Sequence, residues 1–259
     1  MFIDSHFHLG YSKDFYFHDI TLDRCLKTMD ALGISYCINA NLIGLTYGTQ
    51  ETGIEENKRA YELSQGRILS YFAFDPNQGE KCIEAMETHF DRNIFKAIKI
   101  HPSFHGFYGS APEYEIVWRY AKAKGLPIMS HTWAVSAYNP VQKLSYPPVF
   151  ENYIRKYPEV SFICGHSGGR YDGIMQCVKL AIKYKNVFLD TSGDVYNNRF
   201  IEFLVGKIGS KKVLFGSDAL WMDWRTQLGM ILGADISLQD KRNILYENAA
   251  AIFGVQLKA

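Results

Sequence analysis

Short apolar runs alternate with amphipathic stretches along this chain, and the alternation repeats eight times. The apolar runs are Phe2–His8, Tyr36–Asn41, Ile68–Asp75, Phe95–His101, Pro127–His131, Val160–His166, Val187–Thr191 and Lys212–Asp218. Their β-branched and aromatic residues suit strands buried on both faces, as in a parallel sheet. Between them the spacing predicts helices over Leu22–Leu32, Ile54–Leu63, Glu113–Lys124, Pro147–Tyr157, Tyr171–Lys183 and Asn197–Ile208. Two more, Trp224–Leu232 and Leu238–Ile252, follow the last strand. Gly33, Gly66 and Gly125 fall just past helix ends, where a left-handed cap is wanted. A strand and then a helix, eight times in about 250 residues, predicts an α/β chain folded as a single (β/α)8 TIM barrel. An open doubly wound sheet is the alternative; it needs no eightfold count, and its glycine-rich phosphate turn is missing. No linker, low-complexity tract or short repeat divides the chain, so residues 1–259 read as one domain.

Composition adds mainly exclusions. Twenty-eight basic residues against 27 acidic ones, with no run of like charge, leave no electrostatic footprint for nucleic acid or an anionic membrane. No apolar stretch approaches the roughly 20 residues of a bilayer span, and the first strand begins at Phe2, so a cytoplasmic location is expected. The five cysteines are scattered and never spaced as CxxC, which points to free buried thiols rather than disulfides or a zinc knuckle.

The chemistry gathers at strand ends. In a strand alternate side chains share a face, so His6 and His8 of Asp4-Ser5-His6-Phe7-His8 project together and can reach one ion. His8, His101, His131, His166 and Asp218 each close their apolar run, and Asp190 lies near the end of the seventh. Any one of them alone reads equally well as a satisfied hydrogen-bonding residue. Together, at the carboxyl ends of barrel strands, they mark the face where such folds carry their active sites.

These motifs resemble the amidohydrolase superfamily, and within it the amidohydrolase-related group that includes aminocarboxymuconate-semialdehyde decarboxylase and related lactone hydrolases. The resemblance spans nearly the whole chain. It is carried by DSHFH (Asp4–His8), IKIHP (Ile98–Pro102), SHTW (Ser130–Trp133), GHSGG (Gly165–Gly169) and GSD (Gly216–Asp218). It implies that His6, His8, His131 and Asp218 hold a divalent metal, zinc by expectation, with His166 beside it as proton donor or acceptor. Imidazoles and a carboxylate suit zinc, and a catalytic site keeps one position open for a water acidified toward neutrality. Asp218 is then both ligand and catalytic base, and His166 is the second catalytic residue. Lys99 admits two readings. Carboxylated, it bridges a second metal served by His131 and His166; unmodified, it meets a substrate carboxylate or an acid of the barrel floor. One metal is the expectation.

His101, Arg170 and Trp133 are further candidates for contact with substrate. Arg170 could clamp a carboxylate. Trp133, Tyr138, Trp221 and Trp224 suggest an aromatic pocket wall, or loop residues folding over the barrel rim. Asp4 is either a support for the metal ligands or barrel packing, and Asp190-Thr191-Ser192 offers a hydrogen bond to substrate. His18, His89 and His105 read as surface or loop residues. The resemblance implies a metal-dependent hydrolase of a small-molecule amide, lactone or ester. The alternative is a zinc-dependent non-oxidative decarboxylase. Decarboxylase relatives carry extra arginines near strand one, where Leu9–Thr21 offers only Lys13, with Arg24 following, and that tilts the expectation toward hydrolysis. A non-catalytic metal-binding barrel is the third reading. The partner expected is a small-molecule substrate, with a homodimer as a fold-level possibility.

Overall fold

The computed structural model describes residues 1–10, 21–46 and 50–256. Its eight parallel strands are β1 (Phe2–Phe7), β2 (Ile34–Asn39), β3 (Ile68–Ala73), β4 (Phe95–Ile100), β5 (Ile128–Trp133), β6 (Phe162–Gly168), β7 (Val187–Asp190) and β8 (Val213–Leu214). They are hydrogen-bonded in sequence order. The ring closes where β8 returns to β1: the Ser5 amide donates to Phe215 O at 2.9 Å and the Asp218 amide donates to His6 O at 2.8 Å. Beyond them Phe7 and Ala219 form a parallel bridge. This is the (β/α)8 barrel that the eightfold alternation predicts.

The two-residue period of the strands sorts their side chains. Ile98, Ile100, Ile128, Phe162 and Cys164 pack outward against helical residues such as Trp118 and Ile154. Ala97, Met129, Ile163, Tyr71 and Leu214 form a second cluster inside the ring. Lys99, His131 and Gly165 continue the parity of that inner set, so the barrel interior changes from apolar to polar as the strands approach their carboxyl ends. The helix Leu22–Leu32 shows how local signals place the surrounding layer. Thr21 caps its start by accepting from the Arg24 amide, and Gly33 ends it at φ 72°, a conformation that disfavours side chains.

Three expected boundaries change. The eighth ladder covers only Val213–Leu214, because Lys212 ends a 3-10 turn and the chain then bends toward β1, reaching φ 66° at Asp218. The stretch from Pro147 begins with a 3-10 turn, Pro147–Phe150, in which the Val149 amide donates to Tyr146 O at 3.0 Å, and becomes α-helical only over Glu151–Lys156. The expected helix Leu238–Ile252 is interrupted by a wide π turn, Asn243–Glu247, between Leu238–Arg242 and Asn248–Phe253. That turn lets Asn243 donate to Ser210 Oγ and Asn248 to Ser210 O and Val213 O. Helices Leu42–Thr46, Glu80–Thr88 and Pro102–His105 complete the connections. Among the described residues no helix is long and apolar enough to cross a membrane.

Candidate active site

A cavity of about 660 Å³ opens at the carboxyl ends of the strands, lined by His6, His8, Lys99, His131, His166 and Asp218 and walled by Phe104, Trp133 and Trp221. A larger groove of about 980 Å³ lies away from these residues. Its cations are already engaged, Arg67 with Asp30 and Lys96 with Arg92 O, so it gathers no comparable chemistry.

At the floor, one donor atom each from His6, His8 and Asp218 lies within 4.8 Å of the others. The backbone and neighbouring groups decide which ring nitrogens are free. His8 Nδ1 lies 2.8 Å from Ala40 O, which can only accept, so Nδ1 carries the proton. His6 Nδ1 lies 2.6 Å from Asp190 Oδ2 and likewise donates. Both rings therefore turn an unprotonated Nε2 toward Asp218, at 3.0 Å from Oδ1 for His8 and 3.7 Å for His6. Asp218 Oδ1 is buried and accepts no hydrogen bond. Lys99 Nζ, 2.8 Å from His6 Nε2, already meets one of these lone pairs, whereas His8 Nε2 and Asp218 Oδ1 face each other at 3.0 Å and repel unless a cation stands between them. Imidazole and carboxylate donors backed by a carbonyl and a second carboxylate fit a divalent ion. Burial works against ionisation of Asp218, but His166, His8 and His6 together hold it well below the usual carboxylate range.

Asp190 is the hub of the surrounding network. It accepts from His6 Nδ1, from the amides of His166 (2.7 Å) and Ser192 (3.1 Å), and from Ser192 Oγ (2.8 Å). Against the effect of burial, His6 and its hydrogen bond keep Asp190 at about 2. Burial lowers His6 to about 4, Lys99 adding to the effect, and lowers His166 to about 4 against the pull of Asp218, so both rings are neutral near pH 7. His166 and Asp218 take left-handed backbone conformations, φ 62° and 66°, which cost non-glycine residues energy and concentrate at functional sites. The glycines of the two motifs admit this crowding. A Cβ on Gly165 would stand 2.8 Å from Ser130 O, and one on Gly216 would stand 2.9 Å from His6 Cβ.

A family model described as Amidohydrolase matches residues 3–255. The chain belongs to the amidohydrolase family. No curated protein matches the sequence significantly. Among solved structures, one described as an amidohydrolase II is 17% identical, with a TM-score of 0.77 over 98% of this chain and 100% of that one. A dihydroxybenzoic acid decarboxylase from Polaromonas, with bound manganese and the inhibitor 2-nitroresorcinol, is 15% identical, with a TM-score of 0.73 over 99% and 98% of the two chains. A 4-oxalomesaconate hydratase from Rhodopseudomonas palustris is 16% identical, with a TM-score of 0.70 over 98% and 96%. At these identities the likeness is one of fold; membership of the family makes the protein an enzyme acting on a small molecule with a divalent metal.

The remaining expected residues divide. His131 stands outside the donor cluster, with Nε2 2.9 Å from Gln142 Oε1 and its ring stacked on His101 at 4.2 Å. His101 also caps the helix Pro102–His105 through the Phe104 amide. Lys99 is buried with Nζ 2.8 Å from His6 Nε2, and burial lowers it to about 8 although Asp190 and Asp218 oppose the change. Arg170 lines the pocket but is bound bidentately to Asp194 and lies over the Trp133 ring. Trp133, Tyr138 and Trp221 do wall the pocket, and Trp221 stacks on His8 at 4.1 Å. Trp224 does not: it is buried against Phe7 and donates to Asp4 Oδ2, because the turn after Asp218 carries it below the rim. Asp4 is a packing anchor that also accepts from Ser217 Oγ and from the amides of His6 and Ser217. His105 is buried rather than exposed, held by Tyr114 Oη and Leu45 O. His89 pairs with Glu51 and Lys58 at a helix end, and His18 and Lys13 lie outside the described residues. The Asp190-Thr191-Ser192 segment, read as a contact to substrate, instead supports the histidines and Gly216. Gln142 is an unforeseen member of the site, since nothing in its surrounding sequence marks a glutamine that meets a histidine 11 positions away.

Proposed function

We propose that the protein is a metal-dependent hydrolase of a small-molecule amide, lactone or ester. The observation that carries this reading is Asp218: a buried carboxylate, held ionised, with one oxygen free of hydrogen bonds at the floor of an aromatic-walled cavity. His6, His8 and Asp218 would hold the ion, with His131, which lines the same cavity, as a further donor once its ring leaves Gln142, and imidazole–carboxylate donors favour zinc. A divalent ion bound there supplies Lewis acidity to an oxygen at the reacting centre. Asp218 accepts the proton of the attacking water, and His166, lining the same cavity, relays a proton to the departing alcohol or amine. Trp133 and Trp221 exclude bulk water and hold a flat substrate between them. Lys99 Nζ, seated against His6 Nε2, favours a single ion. Five buried free cysteines support a reducing compartment such as the cytoplasm.

Non-oxidative decarboxylation is the second reading, favoured by the flat aromatic walls and by the decarboxylase among the structural relatives. One assay separates the two. Zinc-loaded protein is offered a panel of lactones, esters and cyclic amides and, in parallel, of hydroxylated aromatic acids, while acid release and carbon dioxide release are followed. Hydrolysis that vanishes in His166→Asn, with metal content retained, is the expected result; carbon dioxide release without hydrolysis would overturn the assignment.

A further inference from the structure

We propose that Ser192 is a positioning residue that fixes the ring proton of His166 on Nδ1, so that the imidazole presents an unprotonated Nε2 to the pocket. Ser192 Oγ lies 2.9 Å from His166 Nδ1, 2.8 Å from His6 Nδ1 and 2.8 Å from Asp190 Oδ1. It has one proton to share among these neighbours. Asp190 accepts from three other protein donors and has no proton to give, so the hydroxyl proton must point at Oδ1; turned elsewhere, it would leave oxygen lone pairs facing one another at 2.8 Å. His6 Nδ1 is committed to Asp190 Oδ2 at 2.6 Å. The oxygen of Ser192 is thus left as an acceptor for His166, and His166 Nδ1 must carry the hydrogen. No protein partner meets Nε2 among the described residues, and the ring lines the cavity.

The surrounding backbone locks this arrangement. Gly193 follows Ser192 at φ 83°, and a Cβ there would stand 2.8 Å from His166 Nδ1, so only glycine lets the chain pass beside the ring. Buried Gln227 donates to Gly193 O at 2.6 Å and holds the turn in place. His166 is anchored from its other side by its own amide on Asp190 Oδ1.

The functional consequence rests on the hydrolytic reading. A ring with a bare Nε2 begins the reaction as an acceptor: it can orient a water or substrate hydroxyl by its O–H, and it cannot give a proton before it has received one. Protonation of a carbon as a first chemical step needs an imidazolium, with a proton already on Nε2. Ser192 therefore biases the site toward chemistry in which a proton is taken first and returned later.

The test reads the tautomer directly and needs no substrate. Imidazole 15N spectra of the zinc-loaded protein, with the His166 signals assigned by their loss in His166→Gln, are recorded for the wild type, Ser192→Ala and Ser192→Thr. The expected result is a protonated Nδ1 and an unprotonated Nε2 in the wild type and in Ser192→Thr, which keeps the hydroxyl. In Ser192→Ala the signals should shift toward the other tautomer with zinc per chain unchanged, and kcat on any hydrolysed substrate should fall about 10- to 100-fold, as for lost support of a reacting histidine. A protonated Nε2 in the wild type, or an unaltered tautomer in Ser192→Ala, would overturn the proposal. Should the alanine variant fail to fold, Ser192→Cys, which keeps the size but replaces the oxygen by a weakly accepting sulfur, takes its place with the same expected shift, and an unaltered tautomer there would equally overturn the proposal. A failed hydrolysis panel alongside the expected spectra would sink the reaction assignment and leave the role of Ser192 standing.

Discussion

Replacing Asp190 with asparagine should weaken metal binding although Asp190 reaches the ion only through His6. Asparagine has nearly the same shape but one acceptor fewer. If its oxygen takes the place of Oδ1, it still serves the His166 amide, the Ser192 amide and Ser192 Oγ, and its NH2 then faces His6 Nδ1–H at the 2.6 Å spacing now bridged by a hydrogen bond. The flipped amide would oppose three donors instead of one, so the first orientation wins. His6 must then either turn its proton to Ser192 Oγ, 2.8 Å away and already shared with His166, or move it to Nε2, where it meets Lys99 Nζ at 2.8 Å and loses the lone pair directed at the ion; both leave the donor poorly satisfied. An unsatisfied buried donor costs about 1–3 kcal/mol. That corresponds to about a 10- to 100-fold weaker metal affinity, the range found when the partner of a ligating histidine is removed. Competition against a chromophoric chelator gives the dissociation constant, and a thermal melt of the metal-free variant separates a local effect from general unfolding. An affinity within about twofold of wild type would refute the reasoning, since it would mean that the His6 tautomer does not depend on Asp190.

The site also shapes the response to acid and to surface change. His6 and His166 both fall to about 4 in the folded protein, so between about pH 6.5 and 4 the unfolded chain binds protons that the native state refuses. Stability of the metal-free protein should fall as pH drops through that window, by up to about 3 kcal/mol for each ring. Asp4, raised to about 7 by burial, acts in the opposite sense, its contribution being lost as pH rises from about 4 to 7, but it is one group against two. Denaturant unfolding across this range should show His166→Gln with a flatter profile, and an identical slope would contradict the assignment. Asp4→Ala strips the acceptor from Trp224 Nε1, Ser217 Oγ and two amides, and should lower the melting temperature by roughly 10 °C in calorimetry, whereas loss of the exposed Arg170–Asp194 pair in Arg170→Gln should cost under about 1 kcal/mol. Equal shifts in the two variants would show that burial is not what sets the cost.

The eightfold alternation, the closing position of His6, His8 and Asp218, and the glycines beside them were all legible from the chain, because strand parity and turn geometry are local properties. Trp224 and His105 were misplaced for the complementary reason: an apolar aromatic and a histidine look alike on a rim or under it until the turn that carries them is known. The interruption at Asn243–Glu247 was equally hidden, since it depends on two asparagines finding Ser210 and the end of β8.

What the sequence determined by itself is the barrel and the set of ligand-type side chains at its carboxyl rim. Only the tertiary structure decided what each side chain is able to do there. His6 meets Asp190 and Ser192 across separations of 184 and 186 residues, and Lys99 across 93. No periodicity reaches that far. Barrel closure and register set those contacts, and each contact fixes a proton on one atom or leaves a lone pair on another, which is the property on which the chemistry of the site depends.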